Sequence, residues 1–170
     1  LSEQLGQIHS DLTGRFPTTS YSGTKYVLVL YDYDSNTITT EPMKGRGDIE
    51  MVRAFKVLIH ALTDRGLKPR LQRLDNECSK ALRTFLHQED IEFQLAHPHM
   101  HRGNSAERAI QTFKNHFIAG LCSVDPNFPL RLWDKLLPQA TYTLNLLRQS
   151  CLNPRVSAYA QLNGHYDFNR

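Results

Sequence analysis

Three acidic side chains attract attention because each falls where a run of regular structure ends or begins: Asp11, Asp75 and Glu107. Asp11 closes the short segment from Gln7 and leads into the turn-rich Leu12-Thr13-Gly14-Arg15-Phe16-Pro17. Asp75 follows a strand candidate, Arg70 to Leu74, and Glu107 stands in the first turns of a long helical pattern. Oxygen donors of this kind are what a hard cation such as magnesium takes, usually one or two carboxylates completed by water and phosphate. Each acid also has a plainer use. An aspartate at a strand end is more often a turn or helix-cap residue, and a glutamate near a helix start favours the helix dipole. Asp32 and Asp34 are rival ligands, but both lie in a polar turn where solvated acids are ordinary.

Cationic and polar groups accompany Glu107. Lys114 comes seven residues later, two helical turns on, and therefore shares nearly the same face, where it could meet a phosphate. Gln111 is one turn after Glu107, and Arg102 lies in the preceding loop as a further phosphate candidate. His97, His99 and His101 alternate along that loop, and His116 follows on the helix. They suggest a transition-metal site only weakly, because no cysteine stands nearby at ligand spacing; surface histidines are the simpler account.

The elements that must position these groups can be read from periodicity. Tyr26 to Tyr31 and Thr37 to Glu41 form a hairpin through the polar Asp32 to Asn36. Asp48 is expected to cap a helix carrying Val52, Phe55, Leu58, Ile59 and Leu62 on one face, ended by Gly66 and Pro69. Arg70 to Leu74 reads as a strand, Ser79 opens a helix through Leu82, Phe85 and Leu86, and Ile91 to Ala96 alternates like a strand. A long helix starts near Asn104 or Ser105, and another spans Leu130 to Leu147, kinked or split by Pro138. This order predicts an α/β domain with a five-stranded mixed sheet: three antiparallel strands, then two parallel strands reached through crossover helices. The ligand site of such a sheet lies beyond its strand carboxyl ends. Asp11 and Asp75 would project there, with Glu107 reaching them from its helix.

Composition sets the frame. A chain of 170 residues, 40% hydrophobic and 22% charged, can bury one substantial core and is not a disordered or fibrous polymer. Its apolar stretches are too short to span a bilayer. Cys78, Cys122 and Cys151 are odd in number and lack CxxC pairing, so neither a disulfide framework nor a zinc ribbon is expected, and a reducing compartment is the simpler setting. The formal charge of +3 suits nucleic acid without requiring it. Beginning at Leu1 and ending at Arg170, residues 1–170 are expected to be one core domain from a longer polyprotein.

Several blocks together resemble the integrases of retroviruses and long-terminal-repeat retrotransposons, most like the Copia-type group. Ile8-His9-Ser10-Asp11-Leu12-Thr13-Gly14 is similar to that family's first-aspartate strand, Arg73-Leu74-Asp75-Asn76-Glu77 to its second, and Asn104-Ser105-Ala106-Glu107-Arg108 to its glutamate helix. Pro129 to Asn145, with Trp133 and Ala140, and Ser157 to Gly164 extend the likeness over nearly the whole chain. Glu77 and Asn104 stand where the family often has glycine, so the connecting loop is expected to differ in shape.

The resemblance implies a ribonuclease H-like fold and a triad of Asp11, Asp75 and Glu107 holding two magnesium ions, for which manganese can substitute. Such a pair of ions can stabilise both the attacking and the leaving oxygen of an in-line phosphoryl displacement. The implied reaction is DNA integration. Water cleaves near the element's DNA end, and the freed 3′ hydroxyl then attacks target DNA. Lys114 resembles the family's DNA-contacting lysine. Also implied are a homodimer or higher oligomer, zinc-binding and C-terminal domains outside this segment, and work in the nucleus after a cytoplasmic particle stage. Two alternatives stay open on sequence alone: a ribonuclease H or junction-cutting nuclease on the same fold, and a catalytically silent nucleic-acid-binding module.

Overall fold

The computed structural model describes residues 5–74, 78–95 and 105–164, apart from the side chains of 105 and 106. Asp75, Arg102 and the loop histidines His97, His99 and His101 lie outside the described residues. Five strands form one sheet in the order β3-β2-β1-β4-β5: β1 (Gln7–Leu12), β2 (Tyr26–Asp32), β3 (Thr37–Met43), β4 (Leu71–Leu74) and β5 (Glu92–Leu95). β1, β2 and β3 pair antiparallel, while β4 is parallel to both β1 and β5. The expected mixed sheet of three antiparallel and two parallel strands is thus the one formed.

Helices cover both faces. α1 (Asp48–Thr63) and α2 (Lys80–Gln88) pack one side, where Phe55, Leu58, Ile59, Leu62, Phe85 and Leu86 bury against Ile8, Leu28 and Leu30. On the other side, α3 (Ser105–Ser123), a 3-10 helix (Leu130–Leu136) and α4 (Leu137–Leu147) pack on Val27, Val29, Tyr31 and Ile38. A short α5 (Ala158–Asn163), capped by Ser157 through the Ala160 amide, completes the described chain. β2 is a nearly continuous apolar run because both of its faces are buried, as a central strand requires.

The helix ends follow local chemistry, with one correction. Gly47, not Asp48, is the cap of α1, and no side chain accepts a hydrogen bond there. Asp48 is instead the first helical residue and, with Glu50, complements the positive end of the helix. Ser79 does cap α2, its hydroxyl accepting the Leu82 amide at 3.2 Å. After α1 the chain reverses through Gly66 at φ +83°, a left-handed conformation that glycine adopts without a Cβ penalty. The segment expected to be kinked or split at Pro138 divides between Leu136 and Leu137. Pro138 falls in the first turn of α4, where its missing N–H breaks no helical bond.

Two buried polar groups fix the hairpin side of the sheet. Asn145 on α4 accepts the Ile38 amide at 2.9 Å and donates to the Ile38 carbonyl at 2.7 Å. In the β2–β3 turn, Asp32 Oδ2 accepts both the Ser35 amide and hydroxyl, at 2.7 and 2.6 Å. Asp32 is therefore a turn-former, as its plainer reading has it, but a buried one rather than the solvated acid expected, because both Ser35 bonds draw it inward. Burial pushes its carboxyl up to about 6 despite those two bonds. Asp34 accepts the Gly6 amide, also a structural task.

Candidate active site

Alternation along β1 separates two tasks. Ile8, Ser10 and Leu12 pair across to Asp32, Leu30 and Leu28 on the α1–α2 side, whereas His9 and Asp11 pair with Tyr31 and Val29 on the α3 side. Asp11 is thereby aimed towards α3 from the carboxyl end of its strand. The backbone around it is held firmly. The Thr13 amide donates to the Val27 carbonyl, and Thr13 Oγ1 accepts the Val27 amide at 2.9 Å. Gln72, fully buried on β4, donates to Ser10 Oγ at 2.8 Å and ties the neighbouring strand to β1.

α3 meets the sheet through Ala109, Ile110, Phe113 and Phe117, a stripe at helical spacing. Phe113 and Phe117 stack at 5.8 Å, and Phe117 lies edge-on to both Phe16 and Trp133. Trp133 stacks on Phe16 at 4.1 Å and donates its indole N–H to the Thr18 carbonyl, so it belongs to the core. This packing sets the rotation of α3 and brings Lys114 to Asp11: the ammonium donates to Oδ2 at 2.5 Å across 103 residues of sequence. The side chains are 25% and 34% exposed, so the pair sits at the surface of the site rather than in the core.

Glu107 is half-buried on the same helix. It is two turns before Lys114, about 10 Å along the axis and nearly eclipsed around it. Gln111, between them, is exposed and donates to Asn115 Oδ1 at 2.8 Å. Leu74 ends β4 immediately before Asp75, and β4 runs parallel to β1 in the register Ile8 to Gln72 and His9 to Arg73. Among the described residues no three His, Cys, Asp or Glu side chains gather to hold a metal ion. What the described residues offer is a carboxylate, Asp11, that has already drawn a cation, with hard oxygen donors of the type magnesium takes.

By sequence, no protein family and no curated protein matches the chain. Solved structures do match. A chain of the simian T-cell lymphotropic virus intasome, in complex with PP2A regulatory subunit B56 gamma, aligns with 98% of this chain at a TM-score of 0.69 and 18% identity. The catalytic core domain of BIV integrase aligns with 92% at 0.64 and 14% identity, over 93% of its own length. The HTLV-2 integrase catalytic core domain in complex with magnesium aligns with 95% at 0.65 and 21% identity, over 99% of its length. The fold is that of retroviral integrase catalytic cores. The chain spans 57% of the intasome chain but nearly the whole of each isolated core.

Within the integrase-core fold, a cleft of about 800 Å³ opens where β1 and β4 end, bordered by Asp11, Leu12, Leu74 and Ser79. Two of its walls carry arginines that the sequence pattern does not single out. Arg46 lies over the Tyr26 ring at 5.0 Å, and Arg83 lies over Phe93 at 5.5 Å while its Nε donates to the Cys78 carbonyl. Both are isolated in the sequence and gain their position only from folding. Cys78, buried beside this cleft, has its thiol pushed up by burial and is not an activated nucleophile.

Proposed function

We propose that this chain is the catalytic core of an integrase from a long-terminal-repeat element, of the Copia type, and joins element-end DNA to target DNA. Asp11, Asp75 and Glu107 serve as ligands of two magnesium ions, with manganese an acceptable substitute. When bound there, such ions would polarise the scissile phosphate and stabilise charge on the attacking and leaving oxygens. The protein's own contribution is positioning. β1 fixes Asp11, α3 presents Glu107 and Lys114 on one face, and Lys114, Gln111 and Arg102 contact phosphates that align the DNA. Water is the nucleophile in end processing and the 3′ hydroxyl in joining. The protein functions as a homodimer or larger assembly, as the core domain of a longer polyprotein, and acts in the nucleus.

The observation that carries this reading is the cation-bearing carboxylate of Asp11, held by the helix that also bears Glu107, at the strand ends of an integrase-core fold. The test uses a labelled branched DNA that reports reversal of joining, with magnesium or manganese, on the native chain and on Asp75→Asn and Asp11→Asn. Resolution of the branch by the native protein alone is expected. Equal products from all three proteins would remove both aspartates from the reaction. Hydrolysis without any product joined through a 3′ hydroxyl would point to a nuclease instead, and metal-independent DNA binding without turnover to a silent module.

A further inference from the structure

We propose that Lys114 is a place-holding cation: its ammonium neutralises Asp11 while the carboxylate carries no divalent ion, and leaves it for a DNA phosphate when an ion binds. This rests on the reading of Asp11 as a metal ligand and adds a coupling between metal and DNA.

The contact joins the middle of α3 to the end of β1 at 2.5 Å, and among the described residues neither group has another ion-pair partner. A magnesium ion sits about 2.0–2.1 Å from its ligand oxygen. An ammonium on the same oxygen would then lie within a few ångströms of a doubly charged ion, and like charges at that range repel strongly in a partly desolvated site. The two cations therefore compete for Oδ2.

Lysine suits such exchange. Its charge is compact and sits on a flexible four-carbon stem, unlike the fixed fork of arginine. With one quarter of its side chain exposed, Lys114 can swing outward without unpacking Phe113 or Phe117, which face the core from the same helix. Released, it remains on the face that carries Glu107, where the proposed reaction places phosphate. The ion thereby frees a phosphate contact, and by linkage DNA that captures Lys114 frees Asp11 for the ion. Without metal, the pair keeps the site from presenting an unpaired carboxylate.

The test measures manganese binding by titration calorimetry on the whole chain, without DNA, for the native protein, Lys114→Met, Asp11→Asn and Arg83→Met. Removing the competitor should tighten manganese binding roughly tenfold in Lys114→Met, within the usual range of coupling between sites. Arg83→Met removes a charge from the same cleft without touching Asp11, and should tighten it far less. A fluorescent duplex supplies a second readout: manganese should raise its affinity for the native chain, relative to chelator, by more than for Lys114→Met. Equal manganese affinity in the native chain and Lys114→Met, with Asp11→Asn weakened, overturns the exchange and leaves Asp11 as a ligand. An equal gain in Arg83→Met also overturns it, since general electrostatics would then suffice. Equal affinity in the native chain and Asp11→Asn overturns both this inference and the metal reading beneath it.

Discussion

Replacing Asp32 by asparagine should remove a pH dependence of stability that the fold itself creates. The carboxyl is 1% exposed and is raised from its ordinary 3.8 to about 6, chiefly by burial, against the lowering effect of two hydrogen bonds from Ser35. Because the folded chain holds this proton more tightly than the unfolded chain, the contribution is fully present below about pH 3.8. It is lost as pH rises through about 6. The difference of about two pH units corresponds to roughly 3 kcal/mol. Urea unfolding of the native chain and Asp32→Asn should therefore be compared from pH 4 to 7.5. The asparagine oxygen can still accept from Ser35, although its amide must find an acceptor, so the offset between the proteins at any one pH is a mixture. The change in that offset isolates Asp32: the variant should gain about 2.5 kcal/mol relative to native across this range, which starts just above the unfolded carboxyl's 3.8. Parallel stability curves would show that Asp32 ionises in the fold as freely as in water, and the burial argument would fail. Metal binding should be unaffected, since this acid is committed to Ser35 and not to the site.

Trp133→Ala should cost about 3–5 kcal/mol, as for other large aromatic truncations, because it removes the stack on Phe16, the edge contact with Phe117 and the bond to Thr18; a loss under about 1 kcal/mol in chemical denaturation would contradict its place in the core. Asn145→Ala strands the amide and carbonyl of Ile38 and should cost about 2–4 kcal/mol. The Ile38 amide should then exchange its hydrogen faster, and unchanged protection would refute the pairing.

Much of the sheet could be read in advance because its signals are local. Tyr26 to Tyr31 is apolar enough for a strand buried on both sides, and the stripe of Phe55, Leu58, Ile59 and Leu62 has the period of a helix and not of a strand. Crossover connections then dictate parallel pairing of β1, β4 and β5. Cap assignment was less secure: an aspartate beside a glycine can precede a helix or begin it, and the backbone chose Gly47. β5 alternates in sequence, yet all four of its residues are exposed, since alternation records an amphipathic strand without saying what covers it.

The site was legible to a lesser degree. Spacing of seven placed Lys114 on the face of Glu107, but its bond to Asp11 depends on how Phe113 and Phe117 rotate α3 against β2. No short window of sequence contains that rotation. Arg46 and Arg83 were silent for the same reason, reaching one cleft from a loop and a helix 37 positions apart. Asp75 and Arg102 lie outside the described residues, so the role of Asp75 rests on the likeness of its surrounding sequence and that of Arg102 on its place in the loop before Glu107.

The amide of Asn145 has a consequence beyond its two bonds. β3 forms an outer margin of the sheet, and a bare margin offers its backbone as a template on which a second polypeptide can add a strand. At Ile38 that template is already filled, donor and acceptor together, by a side chain that imitates one residue of an incoming strand. Growth of the sheet past β3 at this point would have to displace Asn145 and α4 first, so a second chain that meets this margin is steered away from adding a strand to it.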